Sequence, residues 1–122
     1  PNSRFDPQLL TVTLRNQLVS QYAANGVTLN INIYDTKAQV DDLLNNPANY
    51  GRTNTTDSCL ALEDSDASNY LTDHARRAGC TNADTYVFWD RLHPSTASHK
   101  LIALGHNGIG GLVKFVQARY PL

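Results

Sequence analysis

The sequence predicts an α/β fold, the C-terminal half of a doubly wound, flavodoxin-like parallel sheet in a three-layer sandwich. Three observations lead to this prediction. Helical and strand-like segments alternate along the chain, the helical segments repeat apolar residues every three to four positions, and the strand-like segments are short and apolar. Such alternation is typical of a parallel sheet with helices on both faces. Residues 1–122 contain no linker and no repeat, so we expect them to form the C-terminal part of a single domain.

The first half of the chain is predicted to contain two helices and one strand. Residues 7–24 predict a helix because leucines recur there every four positions, and the Asn-Gly pair that follows suits a helix end. Residues 27–34 alternate apolar with polar side chains, which predicts a strand with one polar face. Residues 35–44 predict a second helix, capped by the Asp-Thr pair at its start.

The second half of the chain is predicted to end in a strand followed by a long helix. Residues 48–66 are rich in Thr, Asn and Asp and predict a loop, and residues 67–78 predict a short helix. Residues 85–89 have the apolar composition of a buried strand. From residue 95 to about 119 the apolar side chains follow helical spacing and predict one long helix, which four glycines weaken.

Composition narrows the classes of function. The 122 residues include 10 basic and 11 acidic side chains, a formal net charge of -1, which indicates neither a nucleic-acid partner nor an anionic membrane surface. No apolar run approaches the length of a transmembrane helix, and no signal peptide is present. The sequence contains no methionine and opens on Pro1, so we expect it to be part of a longer protein.

Residues 86–96 place an aspartate and a histidine where hydrolytic chemistry needs them. The apolar run Tyr-Val-Phe-Trp ends in Asp90, His93 follows three positions later, and a proline and a helix-starting Ser-Thr pair come next. In such a pair the carboxylate fixes the imidazole tautomer and leaves the other nitrogen as a general base. The alternative is a helix-capping aspartate beside a surface histidine. The strand before the pair and the Pro-Ser-Thr after it favour catalysis.

This stretch resembles the last sequence block of the GDSL, or SGNH, esterases and lipases, whose usual form is Phe-Trp-Asp-x-x-His-Pro-Thr. The resemblance implies that Asp90 and His93 are two members of a Ser-His-Asp triad that needs no cofactor. Ser95 stands where threonine is more usual. Residues 46–51, Asn-Pro-Ala-Asn-Tyr-Gly, are similar to the family's Asn-Pro-x-x-Tyr-Gly-Phe turn, with Arg52 in place of the aromatic residue.

The family's nucleophile lies in a Gly-Asp-Ser motif near the N-terminus, and this chain contains no such motif. The one Asp-Ser candidate, Asp64-Ser65, lacks the glycine. The resemblance therefore implies that the serine and the oxyanion donors lie on an N-terminal segment of the same enzyme, which is the expected partner. We expect the chain to be inactive alone.

The two cysteines, Cys59 and Cys80, flank a polar loop. A disulfide and two unpaired thiols both agree with this spacing. The even number of cysteines and the loop that a bridge would restrain favour the disulfide and hence a secreted or periplasmic location. No Cys-x-x-Cys or His-x-x-x-His spacing occurs, so we expect no metal site.

Asn54 opens an Asn-x-Thr glycosylation sequon, a triplet that often arises by chance. His74, His99 and His106 are expected to be structural or solvent-facing, and the adjacent charges of Arg76 and Arg77 are expected to be solvated on a surface helix.

Three classes of function remain open. The first is a secreted serine hydrolase of lipid acyl esters, a lipase, phospholipase or lysophospholipase that could also transfer the acyl group to an alcohol. The second is a carbohydrate acetyl esterase, which uses the same triad. The third is a non-catalytic binding fragment, which would have no companion segment with a Gly-Asp-Ser motif.

Overall fold

The structure is a computed structural model that describes residues 6–62, 74–106 and 108–121. It forms two compact units, one containing the chain up to Tyr34 and the other beginning at Asp35. Helices and strands mix along the chain, and the second unit contains a small parallel sheet. The predicted α/β class is confirmed at this level, whereas the complete doubly wound sandwich and the single domain stay predictions.

The first unit is dominated by helix α1, Pro7–Ala24, as predicted. The helix begins at Asp6, whose carboxylate accepts the N–H groups of Gln8 and Leu9 at 3.0 and 3.3 Å. It ends at Asn25, and the glycine that follows has a φ of 78°. No residue of α1 is buried within the described structure.

The predicted strand over residues 27–34 is wrong, because the described chain shows no strand there. The segment is connected to α1 instead: the N–H of Val27 bonds to the carbonyl of Tyr22 at 2.9 Å, and Nε of Arg15 donates to the carbonyl of Ile31 at 3.0 Å. Alternating side chains suit a strand, but a strand also needs a neighbour whose backbone completes the ladder. No described segment fills that role for residues 27–34.

The second unit opens with helix α2, Thr36–Asn45, which confirms the second predicted helix. Asp35 caps it by accepting the N–H of Ala38 at 2.9 Å. A 3-10 helix, Pro47–Tyr50, follows and turns the chain toward the sheet.

The parallel sheet consists of β1, Asn54–Ser58, and β2, Tyr86–Phe88. Strand β2 was predicted, whereas β1 lies in the segment predicted as a loop, and that prediction is wrong. The polar sequence of β1 hides its strand character because two of its residues, Thr56 and Asp57, face solvent. Such a segment is stabilised by its ladder with the apolar β2 rather than by its own propensity.

The predicted long helix is also wrong, since the structure divides it in two. Helix α3, Thr96–Leu104, and helix α4, Leu112–Arg119, are separated by a short hairpin. The hairpin pairs β3, Gly105–His106, with β4, Ile109–Gly110. Gly105 ends α3 with a φ of 75°, a conformation that favours glycine. A Cβ at the buried Gly111 would lie 2.4 Å from the backbone at the end of α3, so only glycine permits this close approach.

The predicted helix over residues 67–78 falls mostly outside the described residues. Its described part, residues 74–78, is not helical and contains an isolated bridge between Arg76 and Leu60. The second unit has two small buried clusters. One contains Leu43, Tyr50, Val87 and Leu101. The other contains Cys59, Cys80 and Tyr86, with Trp89 packed against it.

Candidate active site

A hydrogen bond joins the side chains of Asp90 and His93. The Nδ1 of His93 lies 2.8 Å from Oδ2 of Asp90. The other carboxylate oxygen accepts the backbone N–H groups of Leu92 at 2.8 Å and of His93 at 2.6 Å. The aspartate is 7% exposed, whereas the histidine side chain is 63% exposed. The structure therefore fixes the carboxylate inside the loop and presents the imidazole at its surface.

This arrangement determines which imidazole nitrogen can act as a base. An ionised carboxylate only accepts hydrogen bonds, so the bond to Asp90 places the imidazole proton on Nδ1 of His93. The Nε2 atom then carries the lone pair that a general base uses. Three N–H groups around the carboxylate stabilise its negative charge, which in turn stabilises the imidazolium formed when the base accepts a proton.

A tight reversal of the chain after β2 sets the spacing of the pair. The N–H of Trp89 donates to the carbonyl of His93 at 2.9 Å, and the N–H of Ser95 donates to the carbonyl of Val87 at 2.8 Å. The backbone therefore returns along β2 immediately after the histidine. Both ends of the loop that carries the pair are attached to the strand.

Two buried serines attach the start of α3 to β2. Ser95 is the N-cap of α3, and its Oγ accepts the N–H of Ser98 at 3.2 Å. The hydroxyl of Ser98 donates to the carbonyl of Val87 at 2.9 Å. Serine and threonine both cap helices, so the cap is kept although Ser95 replaces the threonine that is more usual in the family. Sequence analysis does not single out Ser98, although Ser-x-x-Ser at a helix start is a signal that could have done so.

The loop after β1 supports the other edge of β2. The N–H of Cys59 donates to the carbonyl of Phe88 at 3.0 Å, and the N–H of Leu60 donates to the carbonyl of Trp89 at 2.9 Å. A disulfide joins Cys59 to Cys80, and both residues are buried. The disulfide-closed loop thus supports the strand end that leads into the candidate aspartate.

Arg77 stabilises the same loop through hydrogen bonds to its backbone carbonyl groups. Its backbone N–H donates to the carbonyl of Cys59 at 2.8 Å, and its Nε donates to the carbonyl of Ser58 at 2.9 Å. Its Nη2 lies 3.4 Å from the carbonyl of Leu62. The expectation of a solvated charge at Arg77 is therefore wrong, because three contacts to the loop backbone hold this partly buried residue. Sequence alone offers no signal for these contacts, since they depend on the folded loop.

A cavity of about 350 Å³ opens beside Asp90, at the carboxyl ends of β1 and β2. Its lining comprises Thr56, Asp57, Ser58, Arg77, Phe88, Asp90 and Arg91. Ligands of open α/β sheets bind beyond the carboxyl ends of the strands, so this cavity is candidate space for a substrate. His93 is not among the lining residues.

The serines near the pair have structural contacts. The hydroxyl of Ser58 donates to the carbonyl of Leu60 at 2.6 Å, and the hydroxyl of Ser98 donates to the carbonyl of Val87. The Asp64-Ser65 pair lies outside the described residues.

Three other sequence candidates are Asn54, His99 and His106. Asn54 opens β1, and its side chain accepts the N–H groups of Thr56 and Asp57. His99 is exposed on α3, and the ring of His106 lies 5.4 Å from that of Tyr50.

Within the described ranges, no three His, Cys, Asp or Glu side chains are grouped to hold a metal ion. None of the helices in this part of the chain is long and apolar enough to cross a membrane.

Comparison with known proteins identifies relatives of this chain. No family model matches the chain. A thermolabile hemolysin of Vibrio parahaemolyticus is 38% identical over 84 residues, which cover 67% of this chain. The GDSL esterase/lipase APG of Arabidopsis thaliana is 32% identical over 95 residues, 78% of this chain. Another Arabidopsis GDSL esterase/lipase is 40% identical over 62 residues, 51% of this chain. This chain belongs to the GDSL esterase/lipase family.

Membership of the GDSL family confirms the resemblance found from the Asp-x-x-His block. The chain spans only part of its curated relatives, 20% of the hemolysin and 26% of the APG protein. Activity, substrate and partners of the whole protein are accordingly matters for proposal.

Proposed function

We propose that this chain supplies the aspartate and the histidine of a Ser-His-Asp ester hydrolase. The observation that carries the proposal is the 2.8 Å contact between His93 Nδ1 and Asp90 Oδ2, in a loop attached at both ends to a strand. His93 would remove the proton from a serine hydroxyl and later protonate the leaving alcohol. Asp90 would hold the imidazole and stabilise its charged form. The reaction proceeds through an acyl-enzyme that water hydrolyses.

The serine would come from an N-terminal segment of the same enzyme. Two features of the first unit support a missing neighbour. Helix α1 exposes a row of apolar side chains along its length: Leu10, Leu14, Leu18 and Tyr22. Residues 27–34 have strand-like alternation but form no strand in the described structure. A segment that covers the row and pairs with residues 27–34 would complete a single domain with a doubly wound sheet.

Lipid acyl esters are the substrate class that we propose first. The relatives carry the names esterase/lipase and hemolysin, and esters of long acyl chains agree with both names. The Cys59–Cys80 disulfide supports a secreted or periplasmic enzyme, because such bridges persist in oxidising compartments.

A serine-directed fluorophosphonate probe tests the proposal on the native protein. We expect the probe to label one serine, outside residues 1–122, and to block hydrolysis of a nitrophenyl ester. His93→Ala should abolish labelling because the serine loses its base. His99→Ala is the matched control, since it removes an exposed histidine six positions away and should label normally.

Residues 1–122 expressed alone should neither react with the probe nor hydrolyse the ester. Labelling of Ser58, Ser95 or Ser98 would contradict the proposal, as would normal labelling of the folded His93→Ala protein. Comparing a monoacylglycerol with an acetylated xylan then separates a lipid esterase from a carbohydrate acetyl esterase.

A further inference from the structure

A second cavity, of about 470 Å³, runs along α3 and shares no lining residue with the cavity beside Asp90. One wall is a face of α3 whose residues recur at helical spacing, from Thr96 through Lys100 to Leu104. The opposite wall includes Arg52 and Asp84. Its volume lies within the range of about 300–1,000 Å³ that small-molecule sites occupy.

Positive charge predominates in this cavity. Arg52 and Lys100 line it together with His106, and Asp84 is the one acidic residue among its lining. Neither Arg52 nor Lys100 forms an ion pair with a residue in the described part of the chain. Two permanent cations against one carboxylate leave the cavity complementary to an anion.

The environment of Arg52 strengthens this electrostatic argument. Its Nη1 donates to the carbonyl of Tyr50 at 2.7 Å, but its buried Nε has no hydrogen-bond partner among the described residues. Burial lowers the pKa of the Arg52 guanidinium, and the nearby charge of Asp84 opposes that effect. A guanidinium that has lost water without gaining a full set of acceptors is stabilised by an anion at its accessible edge.

The same cavity has an apolar side. Leu101 is buried at its base, and Leu104 lines it although the side chain is 57% exposed. An exposed leucine beside two cations fits a ligand that carries both a charged head and an apolar tail. Such a ligand would remove the leucine from water while it neutralises the cations.

We infer that this cavity binds a single-chain anionic amphiphile, with its carboxylate or phosphate on Arg52 and Lys100 and its alkyl chain along Leu101 and Leu104. The site lies outside the candidate active site and needs no catalytic serine. Arg52 stands where the resembling turn has an aromatic residue, so the charged wall is a property of this chain.

Calorimetric titration of the native protein with octanoate tests the inference. We expect octanoate to bind and 1-octanol, which has the same chain length without the charge, to bind at least about tenfold more weakly. Lys100→Gln and Arg52→Gln should each weaken octanoate binding about tenfold. Lys114→Gln on α4 is the matched control, because it removes a cation that does not line the cavity, and should bind as the parent does.

The alkyl chain has its own test. Decanoate should bind more tightly than octanoate, and Leu104→Ser should reduce that gain. Leu112→Ser, an exposed leucine on α4 outside the cavity, should leave the gain unchanged. Lys100 is exposed on α3, so we expect Lys100→Gln to fold, and the test still decides if Arg52→Gln does not fold.

Sedimentation with phosphatidylglycerol vesicles distinguishes a membrane source of the ligand from a free amphiphile. Co-sedimentation that Lys100→Gln weakens would show that the cavity takes a two-chain membrane lipid and would overturn the single-chain assignment, whereas octanoate binding without co-sedimentation supports a free amphiphile. Equal binding of octanoate and octanol, or octanoate binding unchanged in both cation variants, overturns the inference. Because the readout is binding, a protein that binds octanoate but hydrolyses no ester would refute the proposed function alone.

Discussion

The backbone N–H of Cys59 donates to the carbonyl of Phe88 at 3.0 Å, so a disulfide-bonded residue directly supports the strand that ends in Asp90. The disulfide closes a loop with a sequence separation of 21. The N–H of Leu60 donates likewise to the carbonyl of Trp89. Through these two backbone hydrogen bonds, the disulfide supports the geometry of the Asp90–His93 pair.

Removing the disulfide should destabilise the protein and impair turnover together. For the double change Cys59→Ser and Cys80→Ser we expect a loss of about 3 kcal/mol in unfolding free energy, because the unfolded chain regains the entropy of an open loop. Urea denaturation of the native and variant proteins measures this loss, and ester hydrolysis of the folded fraction measures the effect on the pair. Two cysteines that alkylate freely in the native protein would contradict the bridge.

Changes at the pair should reduce turnover much more than substrate binding. His93→Ala removes the proposed base, so kcat should fall by about three orders of magnitude or more. Asp90→Asn preserves the shape but no longer favours the tautomer with the proton on Nδ1, and its effect should also be large. His74→Ala, His99→Ala and His106→Ala should each change kcat less than about tenfold, or roughly 1.4 kcal/mol of barrier. Steady-state kinetics on proteins shown to be folded by circular dichroism tests the assignment. Near-normal turnover in His93→Ala would refute it.

Gly111→Ala should destabilise the protein by about 2 kcal/mol or more, because the new methyl group would overlap the backbone at the end of α3. Gly110→Ala is the neighbouring control. Its Cβ would meet only the flexible side chain of Lys114, at 3.6 Å. Thermal unfolding of both variants measures the difference, and equal stability would show that the hairpin does not lie against α3.

Stability should fall in alkaline solution through Tyr50. Its hydrogen bond to Asp42, together with burial and the charge of Asp42, raises the tyrosine pKa from 10.0 to about 12. The folded state therefore keeps a proton that the unfolded state loses, and this contribution, complete below pH 10, disappears as the pH rises toward 12. Urea midpoints measured across this interval should fall less steeply for Tyr50→Phe than for the parent. Tyr22→Phe, an exposed tyrosine on α1, should follow the parent.

Local sequence signals predicted the helices and the pair best. The leucines at four-residue spacing in α1 and the Asp35 cap of α2 depend on neighbours within about one turn, so both helices match their predictions. The Asp-x-x-His block likewise predicts a contact across only three positions. These contacts are decided by residues close in sequence, which is why pattern reasoning found them.

The errors arose where distant residues decide the structure. Strand β1 is polar and exists because it pairs with β2, about 30 positions later. Residues 27–34 alternate like a strand but form none in the described structure. The chain breaks after α3 because Gly105 has a positive φ and because Gly111 lies close to the backbone at the end of α3. From the sequence, these two glycines were expected only to weaken one long helix. Arg77 was expected to be solvated. The sequence could not show otherwise, because the carbonyl groups that accept its hydrogen bonds come together only in the folded loop.

Several hydrogen bonds within residues 87–98 shape the Asp90–His93 loop and connect residues that are close along the chain, such as Ser98 and Val87, which are 11 positions apart. Loops this short close quickly and at little entropic cost during folding. The base and its orienting carboxylate can therefore come together before a segment that carries the proposed nucleophile arrives, while the bonds from Cys59 and Leu60 support the strand end. A later-arriving nucleophile would meet a preformed acceptor for its proton, and assembly of the reactive centre would then need only one docking step.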